Sequence, residues 1–143
     1  MQITSKFTIA VHIISCIDYF KDTETVTSKF LAGSIGVNQV IVRTVVGKLK
    51  KEGIIKSSQG KSGMTITRNL NQITFYDIYK AVDSVHDEGL FHFHEKPNMD
   101  CPVGRNIHNA MNERLSKVQE VMEDELKRVT LQSVVADIKE MYS

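Results

Sequence analysis

The side chains in this 143-residue chain best suited to chemistry are two cysteines, five histidines and an uneven set of cations. Cys101 stands in the segment NMDCPVGRNI, just before a helix. A thiol at a helix N-terminus with Arg105 nearby is biased toward thiolate, the nucleophilic form, although Asp100 opposes that bias. His86, His92, His94 and His108 surround it in sequence, and histidine with cysteine is a zinc or copper donor set. Their spacing matches no standard metal motif, so no metal and no other cofactor is expected. Cys16 sits among Ile13, Ile14 and Ile17 and is expected to be a small core residue. Two cysteines are too few for a disulfide scaffold. No nucleophile motif accompanies Cys101, so an enzyme is not expected.

The cations divide unevenly. Residues 1–68 carry ten basic and four acidic side chains, net +6, whereas residues 69–143 carry eight and thirteen, net −5. A basic first half on an acidic second half calls for a polyanion partner for the first half alone. Within it, Arg43, Lys48, Lys50 and Lys51 fall in one segment, and Gly60, Lys61, Ser62 and Gly63 follow in a glycine-rich stretch. That stretch lacks the glycine spacing of a phosphate loop.

Periodicity says what positions these groups. Phe7, Ala10, Val11, Ile14 and Ile17 recur at helical spacing, giving a first helix from about Ser5 to Phe20. Thr27 precedes a short second helix with Phe30, Leu31 and Ile35 on one face, and Gly36 stops it. Asn38 is an N-cap for a third helix, Gln39 to Lys51, with Val42, Val45, Val46 and Leu49 inward and its cations outward. Helix, glycine turn, helix is the helix-turn-helix layout. From Ile54 the period falls to two, and Ile54–Ser57 and Met64–Thr67 read as a hairpin with a cationic tip. A fourth helix from about Thr74 to Val85 begins on a Thr74–Asp77 capping-box pattern. Residues 86–102 have no sustained periodicity and read as a loop. Ile107, Met111, Leu115, Val118, Met122, Leu126 and Val129 then mark one long helix, and Thr130 caps a last short one.

A helix fits the major groove of B-DNA, and a cationic hairpin can reach the neighbouring backbone or minor groove. The expectation is therefore a mainly α, winged helix-turn-helix protein with a long C-terminal dimerisation helix. Residues 1–85 would be the DNA-binding domain, 86–106 a sensor loop and 107–143 the dimerisation region. With 41% hydrophobic residues but no apolar run of about 20, the chain has a core's worth of apolar side chains and no membrane segment. The N-terminus does not read as a signal peptide, and a cytoplasmic location is expected.

The chain also resembles the IscR, NsrR and CymR type of bacterial winged-helix regulators, almost end to end. The resemblance is carried by LAGSIGVNQVIVRTVVGKLKKEGIIKSSQGKSGMTITRN from Leu31, by ITFYDIYKAVD from Ile73, by CPVGRNI from Cys101 and by LKRVTLQSVV from Leu126. It implies a homodimeric transcription factor, in most members a repressor, that binds double-stranded operator DNA. By position, Asn38, Gln39, Val40 and Arg43 would lie at the DNA end of the recognition helix, Lys48 and Lys51 near the backbone, and Gly60, Lys61 and Ser62 at the wing tip. Iron-sulfur members place three cysteines before the long helix, and Cys101 matches only the last of them, so a cluster is not expected. Similarity to the thiol-sensing members makes Cys101 the redox-sensor candidate. The alternatives are a metal or small molecule bound by the loop from His86 to Cys101, and a winged helix used only for protein contacts.

Overall fold

The structure is a computed structural model that describes residues 3–58, 63–83 and 89–142. Helix α1, Ser5–Tyr19, is capped by Thr4, whose hydroxyl accepts from the Lys6 amide at 3.2 Å and donates to Asp83 at 2.7 Å. Its apolar residues are buried nearly all round, with Ala10, Ile13 and Ile14 fully enclosed, because four helices and the hairpin pack on it. Helix α2, Ser28–Ile35, begins on the Thr27 cap and ends at Gly36, whose φ of 82° is the left-handed value that glycine adopts without steric cost.

Asn38 caps α3, Gln39–Lys51, accepting from the Ile41 amide at 3.0 Å. The two helices meet at 113°, within the range of a helix-turn-helix. Val42, Val45, Val46 and Leu49 are buried at helical spacing. Truncating a residue as enclosed as Leu49 to Ala would cost about 2–5 kcal/mol.

Strands β1, Ile55–Ser57, and β2, Met64–Ile66, pair antiparallel with Ile55 opposite Ile66 and Ser57 opposite Met64. The hairpin tip, residues 59–62, lies outside the described residues, and with it the wing-tip positions Gly60, Lys61 and Ser62. A 3-10 turn, Leu70–Gln72, which apolar periodicity did not reveal, buries Leu70 before helix α4, Phe75–Val82. The capping box expected at Thr74 and Asp77 is present. The end expected for this helix, residues 84 and 85, and His86 also lie outside the described residues.

Helix α5 spans Pro102–Arg128, 27 residues, and so starts more than a turn before Ile107. Pro102 occupies the first turn, where its missing N–H costs nothing, and Val103 there is exposed, so no apolar step in the sequence marked the start. No residue of α5 is fully buried. After it, a single antiparallel bridge joins Thr74 to Thr130: Phe75 N donates to Val129 O at 2.9 Å and Leu131 N to Ile73 O at 2.8 Å. Helix α6, Leu131–Tyr142, then returns to the head, burying Leu131 and Val135 in the common core. Among the described residues no single helix is long and apolar enough to cross a membrane.

Candidate nucleic-acid interface and thiol site

The N-terminal end of α3 is an exposed surface of the head. Val40 is 68% exposed and Ile41 38%, although neither is polar. Gln39 and Arg43, one turn apart, are joined by a 2.8 Å hydrogen bond from the guanidinium to the amide oxygen, which aims two donor-bearing side chains along one face. Guanidinium and carboxamide are the groups that read guanine and adenine edges in the major groove, and an exposed valine suits a thymine methyl. Asn38 has committed its side-chain oxygen to the helix cap. The sequence therefore located this end of the helix, but the Gln39–Arg43 pairing depends on side-chain geometry.

The cations at the far end of α3 are not equivalent. Lys51 is exposed. Lys50 donates to Ser57 Oγ at 2.7 Å and so ties the recognition helix to the wing. Lys48 turns inward: its ammonium donates to the Val82 carbonyl at 3.2 Å, where α4 ends. Burial, and then the neighbouring Lys6, hold its pKa below the usual lysine value, with Asp83 opposing them. Lys48 thus contacts the protein's own α4, while the sequence reading had it near the DNA backbone.

Cys101 is the N-cap residue of α5 and is partly exposed. The Gly104 and Val103 amides at the helix start lower its pKa from the ordinary thiol value. The chain reaches it through a tight turn in which Asp100 N donates to Asn98 Oδ1 at 2.9 Å and Cys101 N to Asn98 O at 3.2 Å. That turn lies on Gly104, whose missing side chain leaves the space the Asn98 backbone occupies.

Two histidines of this region are engaged with rings. His108 stacks on Phe93 at 4.8 Å and makes a T-shaped contact with His94 at 4.9 Å. Farther along, the Leu90 amide donates to Gln119 Oε1 at 2.8 Å, holding the loop against α5. Cys16 is buried, as its neighbours in sequence suggested, and its thiol is pushed above the ordinary value by burial.

Comparison with known proteins agrees with this geometry. Residues 3–137 match the Rrf2 family profile, described as an iron-dependent transcriptional regulator. The chain is 37% identical over 134 residues to a Bacillus subtilis (strain 168) protein that bears the name HTH-type transcriptional regulator YwnA, covering 94% of this chain and 97% of that one. A crystal structure described as that of a DNA binding protein superposes with a TM-score of 0.72 at 32% identity, covering 91% and 98% of the two chains. CymR of B. subtilis, the global cysteine regulator, shares the fold with a TM-score of 0.69 at 14% identity over 95% and 97%.

The family description names iron. Iron-sulfur clusters are held mainly by thiolates. This chain has two thiols, of which Cys16 is enclosed in α1 and hydrogen-bonded to Ser34. Among the described residues no three histidine, cysteine, aspartate or glutamate side chains converge on one point. The donor set does not fit a cluster.

Proposed function

The chain belongs to the Rrf2 family and is a DNA-binding transcriptional regulator with a winged helix, not an enzyme, and from that premise we propose a homodimeric operator-binding repressor whose affinity for DNA is set by the state of Cys101. In this reading residues 1–85 bind DNA, 86–106 form the sensing segment and 107–143 pair the two copies. The observation that carries it is the exposed end of α3, with Val40 in solvent and Arg43 bonded to Gln39. Asn38, Gln39, Val40 and Arg43 face the bases, Lys51 and the wing residues Lys61 and Ser62 meet phosphates, and Lys48 serves by fixing α4 behind the recognition helix.

The dimer follows from α5. Val103, Val118 and Val121 are 67%, 53% and 55% exposed on a helix with no fully buried residue, and a second copy is what would cover them.

The thiol switch rests on the place of Cys101 at the start of that same helix. Its thiolate sulfur attacks one oxygen of a peroxide and the O–O bond breaks. The departing oxygen takes a proton, leaving sulfenic acid on Cys101 after a two-electron oxidation. A larger, differently hydrogen-bonded group under the Val103 and Gly104 amides then disturbs the first turn of the pairing helix.

Fluorescence anisotropy against DNA from the protein's own upstream region, at two salt concentrations and before and after peroxide, tests the whole reading. Tight, salt-dependent binding that peroxide abolishes and reductant restores is expected. Cys101→Ser should bind but ignore peroxide. If that variant still responds, Cys101 is not the switch; absence of specific binding removes the regulator itself.

A further inference from the structure

A cleft where α1, α2 and α6 meet plays no part in the α3 surface or at Cys101. It is an open-sided cleft of about 480 Å³, within the range of small-molecule sites. Tyr19, Phe20, Ile138 and Met141 supply its apolar walls. Its polar groups are the Tyr19 hydroxyl, His12, Ser15, Cys16 and Ser34, and among the described residues no carboxylate, lysine or arginine side chain lines it.

Cys16, Ser34 and His12 form one chain of polar contacts in the cleft. Cys16 Sγ donates to Ser34 Oγ at 3.4 Å, and Ser34 Oγ lies 2.9 Å from His12 Nε2. Burial keeps the Cys16 thiol protonated and holds the His12 pKa below its ordinary value, so the ring is neutral at pH 7. With the His12 proton on Nδ1, Ser34 donates its only hydrogen to His12 and accepts from Cys16, keeping one acceptor lone pair. Ser15 has likewise spent its hydrogen, on Val11 O at 2.8 Å. With that tautomer Ser34 offers an acceptor inside apolar and aromatic walls, and the described lining offers no charge.

We infer that this cleft binds a small neutral aromatic alcohol, a phenol, whose hydroxyl donates to Ser34 while its ring packs among Tyr19, Phe20 and the Met141 thioether. A carboxylate finds no cation here, and an ether of the same shape brings no donor. Ser34 lies in the last turn of α2, just ahead of Gly36 and the recognition helix. Ile138 and Met141 belong to α6, so an occupant bridges the helix-turn-helix to the C-terminal helix.

The test is methionine-methyl NMR on the intact chain, titrated with para-tert-butylphenol, its methyl ether and para-tert-butylbenzoate. The phenol should shift the Met141 methyl saturably and leave Met111 and Met122 on α5 unmoved. The ether and the benzoate should bind at least about tenfold more weakly, since a site built around a hydroxyl rejects analogues without one. Ser34→Ala should lose about fivefold in affinity for the phenol. Ser34 and Met141 are exposed, so Ser34→Ala and Met141→Ser should fold as the parent does, and Met141→Ser should also weaken binding. The inference is overturned if no saturable shift appears at millimolar phenol, if only Met111 and Met122 respond, if phenol and ether bind equally, or if Ser34→Ala or Met141→Ser binds as the parent does.

Discussion

The backbone of Asn98 occupies the space that a side chain on Gly104 would need. A Cβ there would overlap the Asn98 carbonyl oxygen and come within 3.1 Å of its amide nitrogen. Both groups are backbone, so neither can swing away as a side-chain tip would. The turn that presents Cys101 is seated on the helix Cys101 caps.

Replacing a helical glycine with alanine ordinarily stabilises a protein by up to about 1 kcal/mol. For Gly104→Ala the sign should reverse, with a loss of about 1–3 kcal/mol as the Asn98 turn is forced off the helix. Thermal melting reads the loss, and the alkylation rate of Cys101 should change with it. A variant that melts higher, with Cys101 reactivity unaltered, would show that the turn shifts at no cost.

The two thiols should separate on a pH axis. The Val103 and Gly104 amides favour the Cys101 thiolate, whereas burial disfavours that of Cys16. Iodoacetamide labelling followed by mass spectrometry should give Cys101 a half-maximal rate below the ordinary thiol pH, with Cys16 reacting only well above it. A thiol whose folded pKa is depressed adds stability that is fully present above its unfolded pKa. That stability is lost as pH falls through the folded value. Equal pH profiles for the two cysteines would remove the helix-start effect.

On the DNA side, Arg43→Ala should weaken operator binding by about 1–3 kcal/mol if the guanidinium grips a base bidentately, and should weaken binding to unrelated DNA much less. Gln39→Ala removes the acceptor that orients Arg43 and should produce a smaller loss in the same direction. Competition anisotropy separates the cases. Equal losses on both DNAs would make Arg43 a phosphate contact.

For pairing of two copies, the exposed position Val118 is the most informative. Val118→Asp leaves the packing of a single chain nearly untouched and places a charge where a second copy would sit. Sedimentation should show monomers with retained helicity and weakened operator binding. An intact dimer would move the interface elsewhere. Leu115→Asp and Met122→Asp are less clean, because both side chains are already half-buried against their own chain.

The contrast between these positions shows what the sequence makes legible. Val42, Val45, Val46 and Leu49 announce a helix because a helix with one buried face must repeat apolar residues at 3.6. Asn38, Thr74 and Gly36 announce its ends because free amides and left-handed backbone each admit few residue types. Hence the helix-turn-helix and the exposed N-terminal end of its second helix could be located without coordinates. The inward turn of Lys48 could not, because a long side chain on a helix edge reaches solvent or the Val82 carbonyl with the same sequence spacing. The start of α5 was hidden for a related reason, since Val103 and Gly104 form a turn with no face to bury. The Asn98–Gly104 contact and the His12–Ser34–Cys16 chain join segments whose approach only the fold dictates.

The bridge between Thr74 and Thr130 fixes the foot of α5 to the start of α4. At about 1.5 Å per residue, the 27 residues of α5 make a rod of about 40 Å with Cys101 at its far end. A tilt of about 5° at the foot then carries the far end through about 3.5 Å, by the same helical rise. The helix is in this sense a lever with its fulcrum on the DNA-binding head. Under the proposed thiol switch, a rearrangement of a few ångströms around Cys101 would reach the head geared down to a few degrees of rotation.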